Sequence, residues 1–165
     1  MKFTTENYSK IKKLLEVAIP SSKEEIEQLQ YTARGLYKNI FSDESPFQIW
    51  AYSLQNKELK EFLSNLFNQD PNYITTMHRL KYLEGGSSIR HLDKATCTFV
   101  LILDADLEGG EFYLNDEYRE DFKETGDYLL YDGGSEYHEV KEVKKGYRDV
   151  FVVWWNDTTK STSLI

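Results

Sequence analysis

The chain has 165 residues, a formal net charge of −8, 40% apolar and 15% aromatic residues. That composition excludes a disordered segment and supplies enough apolar mass for a real core. No apolar run reaches the ~20 residues that span a bilayer, and no basic stripe of the kind that holds nucleic acid is visible.

The basic residues Lys141, Lys144, Lys145 and Arg148 are interrupted by Glu142 and read as a solvated hairpin. Met1–Glu6 lacks the apolar core of a secretory signal. Cys97 is the only cysteine, so no internal disulfide forms and a cytoplasmic setting is expected. Cys97 itself reads as a small buried apolar residue.

In chain order, Ile11, Leu14, Leu15, Ala18 and Ile19 follow helical spacing and predict an amphipathic helix ended near Pro20. Ser21-Ser22-Lys23-Glu24-Glu25 offers two overlapping capping boxes for a second helix. Its apolar stripe is Ile26, Leu29, Ala33, Leu36, Tyr37 and Ile40. Ser42 to Pro46 forms a turn, and 47–54 reads as a strand. Leu59, Phe62, Leu63, Leu66 and Phe67 predict a third helix, capped by Asn56 and closed by Asp70-Pro71-Asn72. These helices carry no chemistry and are expected to cover one face of a sheet.

From Tyr73 the pattern changes to short strands with glycine-rich connections, placed near 73–83, 88–92, 95–103, 110–114, 127–131, 137–142 and 147–155. Such spacing predicts an antiparallel sandwich or barrel. With no repeat and no boundary, residues 1–165 read as one domain: 1–72 a mainly helical support, 73–157 the β core.

Chemistry concentrates around His91-Leu92-Asp93. Residues two apart on a strand share a face, so His91 and Asp93 reach into one space. A second imidazole would complete the two-histidine, one-carboxylate set that suits ferrous iron, and His138 is the only downstream histidine. Ten residues later Arg148 opens an apolar strand in which Val150, Val152 and Trp154 share its face. An inward arginine there needs a carboxylate partner, because an unpaired buried charge is very costly.

Each residue has a plainer reading. His91 and Asp93 alone make an ordinary polar pair at a strand end, and Arg148 a surface residue beside Gly146. Tyr82 and Trp154 make core aromatics, and His78 a hydrogen-bonded strand histidine. Asp104, Asp106, Asp116 and Glu117 are loop acids without a calcium-ligand pattern. Gly109-Gly110 precedes no helix that would cradle phosphate.

Taken together, Tyr82, Gly85-Gly86, Arg90, His91, Asp93, Gly109-Gly110, Gly126, His138, Gly146, Arg148 and Trp154 give the chain's second half its resemblance to the iron- and 2-oxoglutarate-dependent oxygenases, most closely the prolyl 4-hydroxylase branch. The resemblance implies an α+β, mainly β protein. Its core would be a double-stranded β-helix, or jelly roll, with the metal at the open end and the N-terminal helices packed on one sheet. It implies His91, Asp93 and His138 as metal ligands at the catalytic centre. Arg148 would anchor 2-oxoglutarate, with Tyr82, Thr98 and Trp154 lining the cosubstrate pocket. Iron(II), 2-oxoglutarate and dioxygen are the implied cofactors, with ascorbate as an accessory. Retention of the carboxylate at Asp93 favours hydroxylation over halogenation.

The implied substrate is a prolyl residue in a peptide or protein, with succinate and carbon dioxide released. Free proline or another amino acid comes second. Nucleobase demethylation comes third, because Trp154 stands where such relatives carry a second arginine. Readings from other classes are a non-catalytic jelly-roll metal-binding module and a cupin-like enzyme that uses no 2-oxoglutarate. Ile102 stands where a tyrosine is usual in the family. Whether Thr98 or Cys97 faces inward depends on a bulge after Asp93, which the sequence leaves open. Arg90 is expected to point away from His91.

Overall fold

The structure is a computed structural model that describes residues 1–27 and 46–160. Helix α1 spans Thr5–Glu16, with the Thr4 hydroxyl accepting from the Asn7 N–H at 3.1 Å. The helix stops short of the predicted end near Pro20, and the Asn56 side chain accounts for it. Its amide oxygen accepts from the Ile19 N–H at 2.7 Å, and its amide nitrogen donates to the Ile19 carbonyl at 2.8 Å. Those bonds hold the segment in extended form, and Pro20 then pairs with Tyr52. Because Asn56 is so engaged, it makes no side-chain bond to the helix it precedes, α2 (Lys57–Leu66), contrary to the sequence expectation.

Residues 23–27 are helical, and Ser22 and Glu25 form a reciprocal capping box at 3.0 and 3.2 Å. The stripe from Leu29 to Ile40 and the turn at 42–45 lie outside the described residues, and Ile26 itself is exposed. Strand β1 is Phe47–Ala51, shorter than the predicted 47–54. A single 3-10 turn, Pro71–Tyr73, follows α2, with the Asp70 carboxylate accepting from the Asn72 N–H.

The remaining strands are β2 Ile74–Tyr82, β3 Ser88–His91, β4 Cys97–Gly109, β5 Phe112–Leu114, β6 Glu117–Tyr118, β7 Tyr128–Tyr131, β8 His138–Val140 and β9 Val143–Trp155. They form two antiparallel sheets, a larger one in the order β1-β2-β9-β4-β7 and a smaller one in the order β3-β8-β5-β6. The architecture is a double-stranded β-helix with the helices on one face of the larger sheet.

That placement explains the near-continuous apolar runs in β4 and β9, whose central residues are covered on both sides. Val100, Ile102, Val150, Val152 and Trp154 point between the sheets with Leu80, Phe112 and Leu129. Phe99, Leu101, Phe151, Val153 and Trp155 point outward against Ile11, Leu59 and Leu63. Trp155 donates its indole N–H to the Ser64 hydroxyl at 2.9 Å, and the Tyr8 hydroxyl donates to the Leu103 carbonyl at 2.7 Å. The two helices are thereby tied to the sheet by polar as well as apolar contacts.

The strand ends differ most from expectation in β4 and β9. Both continue past the core as a two-stranded ribbon, pairing from Asp104↔Asp149 to Gly109↔Val143. Its residues are largely polar, so no apolar alternation announces it. Gly146 lies in this ribbon at φ +81°, where a Cβ would collide with the Asp106 carbonyl.

Candidate metal centre and cosubstrate cavity

His91 ends β3 and His138 begins β8, and the two are register partners across the smaller sheet. Both rings therefore project to the same side, with centroids 4.2 Å apart. Asp93 follows in the loop after β3, where its N–H donates to the Gly133 carbonyl at 2.7 Å. Its Oδ1 lies 3.3 Å from His91 Nε2 and its Oδ2 lies 3.1 Å from His138 Nε2. The side chains of His91, Asp93 and His138 are 8%, 3% and 5% exposed. One ligand atom from each falls within 4.8 Å of the others.

The far side of each imidazole sets its tautomer. His138 Nδ1 sits 2.9 Å from the Glu136 carbonyl, and His91 Nδ1 faces the Ile89 carbonyl. A proton on Nδ1 donates to these oxygens, so each Nε2 faces the shared space, where it donates to Asp93 when protonated and would offer a lone pair to a metal once its proton is lost. Two imidazole nitrogens and one carboxylate converging in this way fit a ferrous ion. Burial alone would raise the Asp93 carboxyl, but hydrogen bonds from His138 and His91 outweigh it and hold the group at about 2. Burial pulls the His138 imidazole down, and the Asp93 carboxylate outweighs it, so His138 is raised. The metal-free site is thus an ionised carboxylate clasped by two rings.

Thr98 is buried and donates its hydroxyl to Asp93 Oδ2 at 3.0 Å. Cys97, its neighbour, faces the helices, where burial pushes its thiol up to about 11. The orientation left open by the sequence is therefore settled, with Thr98 inward. Gly133 completes the wall behind the carboxylate. A Cβ there would overlap the Thr98 hydroxyl and stand 2.8 Å from Asp93 Oδ2. In the sequence Asp132-Gly133-Gly134 shows only as a glycine-rich connection between strands, with no sign of this contact.

One cavity joins the triad to Arg148. Tyr82, Thr98, Val100, Phe112, Tyr131, Val150, Val152 and Trp154 line it together with His91, Asp93, His138 and Arg148. Arg148 is 3% exposed, and its guanidinium lies 5.2 Å from the Phe122 ring, 5.3 Å from Tyr82 and 5.9 Å from Phe112. Tyr82, Thr98 and Trp154 thus share this space, while Ile102 packs in the core beside it.

Tyr131 also lines this cavity, although the sequence places it only at the end of the strand near 127–131. Its ring meets that of His138 edge-on at 4.9 Å, and burial raises its hydroxyl pKa so that it stays protonated. The spacing of Leu129 and Tyr131 on a strand was the available signal.

Of two other polar residues, His78 departs from its plain reading and Arg90 keeps its expected direction. His78 is buried but not hydrogen-bonded through Nδ1, and it packs edge-on against Trp154 at 5.7 Å. Burial lowers its pKa to about 4, so it is neutral at ordinary pH. Arg90 does point away from His91. It pairs with Asp116 at 2.7 and 3.1 Å and stacks over Tyr137 at 3.9 Å.

No protein-family profile matches the sequence, and no curated protein matches it. Solved structures do match the fold. A prolyl hydroxylase from Trichoplax adhaerens, in complex with a hypoxia-inducible-factor peptide fragment, aligns with a TM-score of 0.56 at 15% identity. The alignment covers 95% of this chain and 81% of that one. A Pseudomonas putida prolyl-4-hydroxylase aligns at 0.54 and 16% identity, covering 93% and 88%. A 2OG-Fe(II) oxygenase-family oxidoreductase from Burkholderia pseudomallei aligns at 0.46 and 18% identity, over 59% of this chain and 50% of that one, so the chain spans half its length. The chain has the fold of the prolyl hydroxylases, and within that fold it carries a buried His-Asp-His cluster that fits iron.

Proposed function

We propose that the protein is an iron(II)- and 2-oxoglutarate-dependent dioxygenase that hydroxylates a C–H bond, with a prolyl residue of a peptide or protein as the leading substrate. The observation that carries this reading is the convergence of His91, Asp93, His138 and the buried Arg148 on one cavity. Iron bound there would activate dioxygen, with 2-oxoglutarate oxidised to succinate and carbon dioxide.

The chain's residues do the holding. His91, Asp93 and His138 would hold the ion through three ligand atoms, fewer than the six that an octahedral ion takes. Arg148 would receive the distal carboxylate of 2-oxoglutarate in a charge-assisted pair, inside apolar and aromatic walls that keep water from competing. Tyr82, in register with Arg148, lies at the same depth of the barrel. A peptide substrate is supported by the peptide complex of the Trichoplax protein.

The test is mass spectrometry of prolyl peptides incubated with iron(II) and 2-oxoglutarate. A gain of one oxygen that depends on 2-oxoglutarate is expected, with succinate formed. Absence of succinate across peptides and free amino acids, with iron bound, would refute the oxygenase reading.

A further inference from the structure

We propose that Thr98 and Gly133 are positioning residues that fix the orientation of the Asp93 carboxylate toward a metal held with His91 and His138. This rests on the reading of His91, Asp93 and His138 as metal ligands.

Asp93 lies in a loop, outside any strand ladder, so its direction must be set by side-chain and loop contacts. Three constraints converge on it. Its N–H is fixed to the Gly133 carbonyl at 2.7 Å. Its Oδ2 accepts the Thr98 hydroxyl proton at 3.0 Å. Gly133 packs so closely behind it that no larger residue fits without displacing both the hydroxyl and the carboxylate.

Thr98 is well placed to hold its end rigidly. It sits in β4, in register with Trp154 on one side and Tyr131 on the other, and is 1% exposed. A β-branched side chain in such a strand has little rotational freedom. A hydroxyl has one proton to give, and here that proton is given to Asp93. The hydroxyl is therefore committed to the carboxylate as a donor, whatever else in the cavity it accepts from.

Oδ2 lies 3.1 Å from His138 Nε2 as well, and Oδ1 lies 3.3 Å from His91 Nε2, so the Thr98 hydrogen bond holds the carboxylate in place between the two imidazoles. Outer partners of metal ligands typically change metal affinity by about 10- to 100-fold when removed.

The experiment titrates cobalt(II) into metal-free protein and follows its visible absorption, which reports both affinity and coordination. Thr98→Val keeps the shape and removes the hydroxyl, and Thr98→Ser keeps the hydroxyl. Thr98→Val is expected to lose affinity about 10- to 100-fold and to alter the cobalt spectrum. Thr98→Ser is expected to keep the wild-type spectrum. Gly133→Ala, which crowds the carboxylate, is expected to behave like Thr98→Val or worse. Circular dichroism checks folding, and if Thr98→Val does not fold, Thr98→Ala against Thr98→Ser makes the same comparison. If the variant without the hydroxyl matches wild type in affinity and spectrum, this inference is overturned while the metal centre stands. If wild type binds no cobalt, the metal centre and the function built on it fall as well.

Discussion

Tyr82 on β2 and Arg148 on β9 are register partners, with the guanidinium 5.3 Å from the tyrosine ring. The pair places a buried cation at one end of the cavity and the His-Asp-His cluster at the other. If a cosubstrate carboxylate meets Arg148 there, truncation removes a charge-assisted pair from an apolar setting. Arg148→Ala should weaken 2-oxoglutarate binding by ~2–5 kcal/mol, or roughly 30-fold to several-thousand-fold. Metal affinity should hardly change, since Arg148 is not among the clustered ligands. Arg148→Lys should fall between, because an ammonium keeps the charge without the planar fork. The check is a titration of 2-oxoglutarate into iron-loaded protein, read by the charge-transfer absorbance of a keto acid on ferrous iron. Equal binding by wild type and Arg148→Ala would move the anchor elsewhere.

His91→Ala, Asp93→Ala and His138→Ala should each abolish turnover and sharply weaken iron binding without unfolding the chain. The three side chains line a cavity rather than fill the packed layer between sheet and helices. Equilibrium dialysis against iron(II), beside circular dichroism, tests this. Full iron affinity in one variant would remove that residue from the ligand set.

His78 makes a prediction about acid stability. Burial lowers its folded pKa to about 4, against an ordinary 6.5 in the unfolded chain. Between those values the unfolded state binds the extra proton, so stability falls as pH falls. The difference corresponds to about 3 kcal/mol across that window. His138 acts in the opposite sense in metal-free protein. Its raised folded pKa gives stability that is present below 6.5 and lost as pH rises through the folded value. Denaturant titrations at pH 7 and pH 4.5 should therefore show His78→Leu losing less stability on acidification than wild type does. Parallel losses in both proteins would mean that His78 is not the titrating group.

Trp155→Phe should destabilise the fold by about 1–3 kcal/mol, because it deprives the buried Ser64 hydroxyl of its donor. The substitution lies on the helix side of the larger sheet, so 2-oxoglutarate affinity should be unchanged. A denaturant midpoint shift without a change in cosubstrate titration would bear this out.

The legible parts of the sequence were those that obey short periods. Arg148 and Trp154 share a strand parity, and Ile11, Leu14 and Leu15 share a helix face, and each of these patterns reappears as a shared face in the fold. His91 and Asp93 also meet in one cavity, but Asp93 reaches it from a loop beyond β3 rather than by strand alternation. What escaped was set by contacts distant in sequence. The end of α1 is decided by Asn56, which lies 37 residues beyond Ile19. The β4–β9 ribbon is polar along much of its length, so no hydrophobic signal marks it. The choice between Cys97 and Thr98 depended on how the chain leaves Asp93. The role of Gly133 is visible only when the Thr98 hydroxyl and the Asp93 carboxylate are seen against its Cα.

The uneven strand pairing around the cavity gives its two walls different mechanical character. β9 is laddered along most of its length to both β2 and β4. β3 meets β8 at Ser88↔Val140 and His91↔His138, with an irregularity between them. Arg148 therefore stands on a stiff wall, while His91 stands on the sparsely paired β3, tied through β8 to β5. A metal ion bridging His91, Asp93 and His138 would act as a rivet through that sparsely paired side. Its arrival should slow amide exchange in residues 88–93 and 138–140 far more than in β9. Much of the site's final rigidity would then come from the ion it holds.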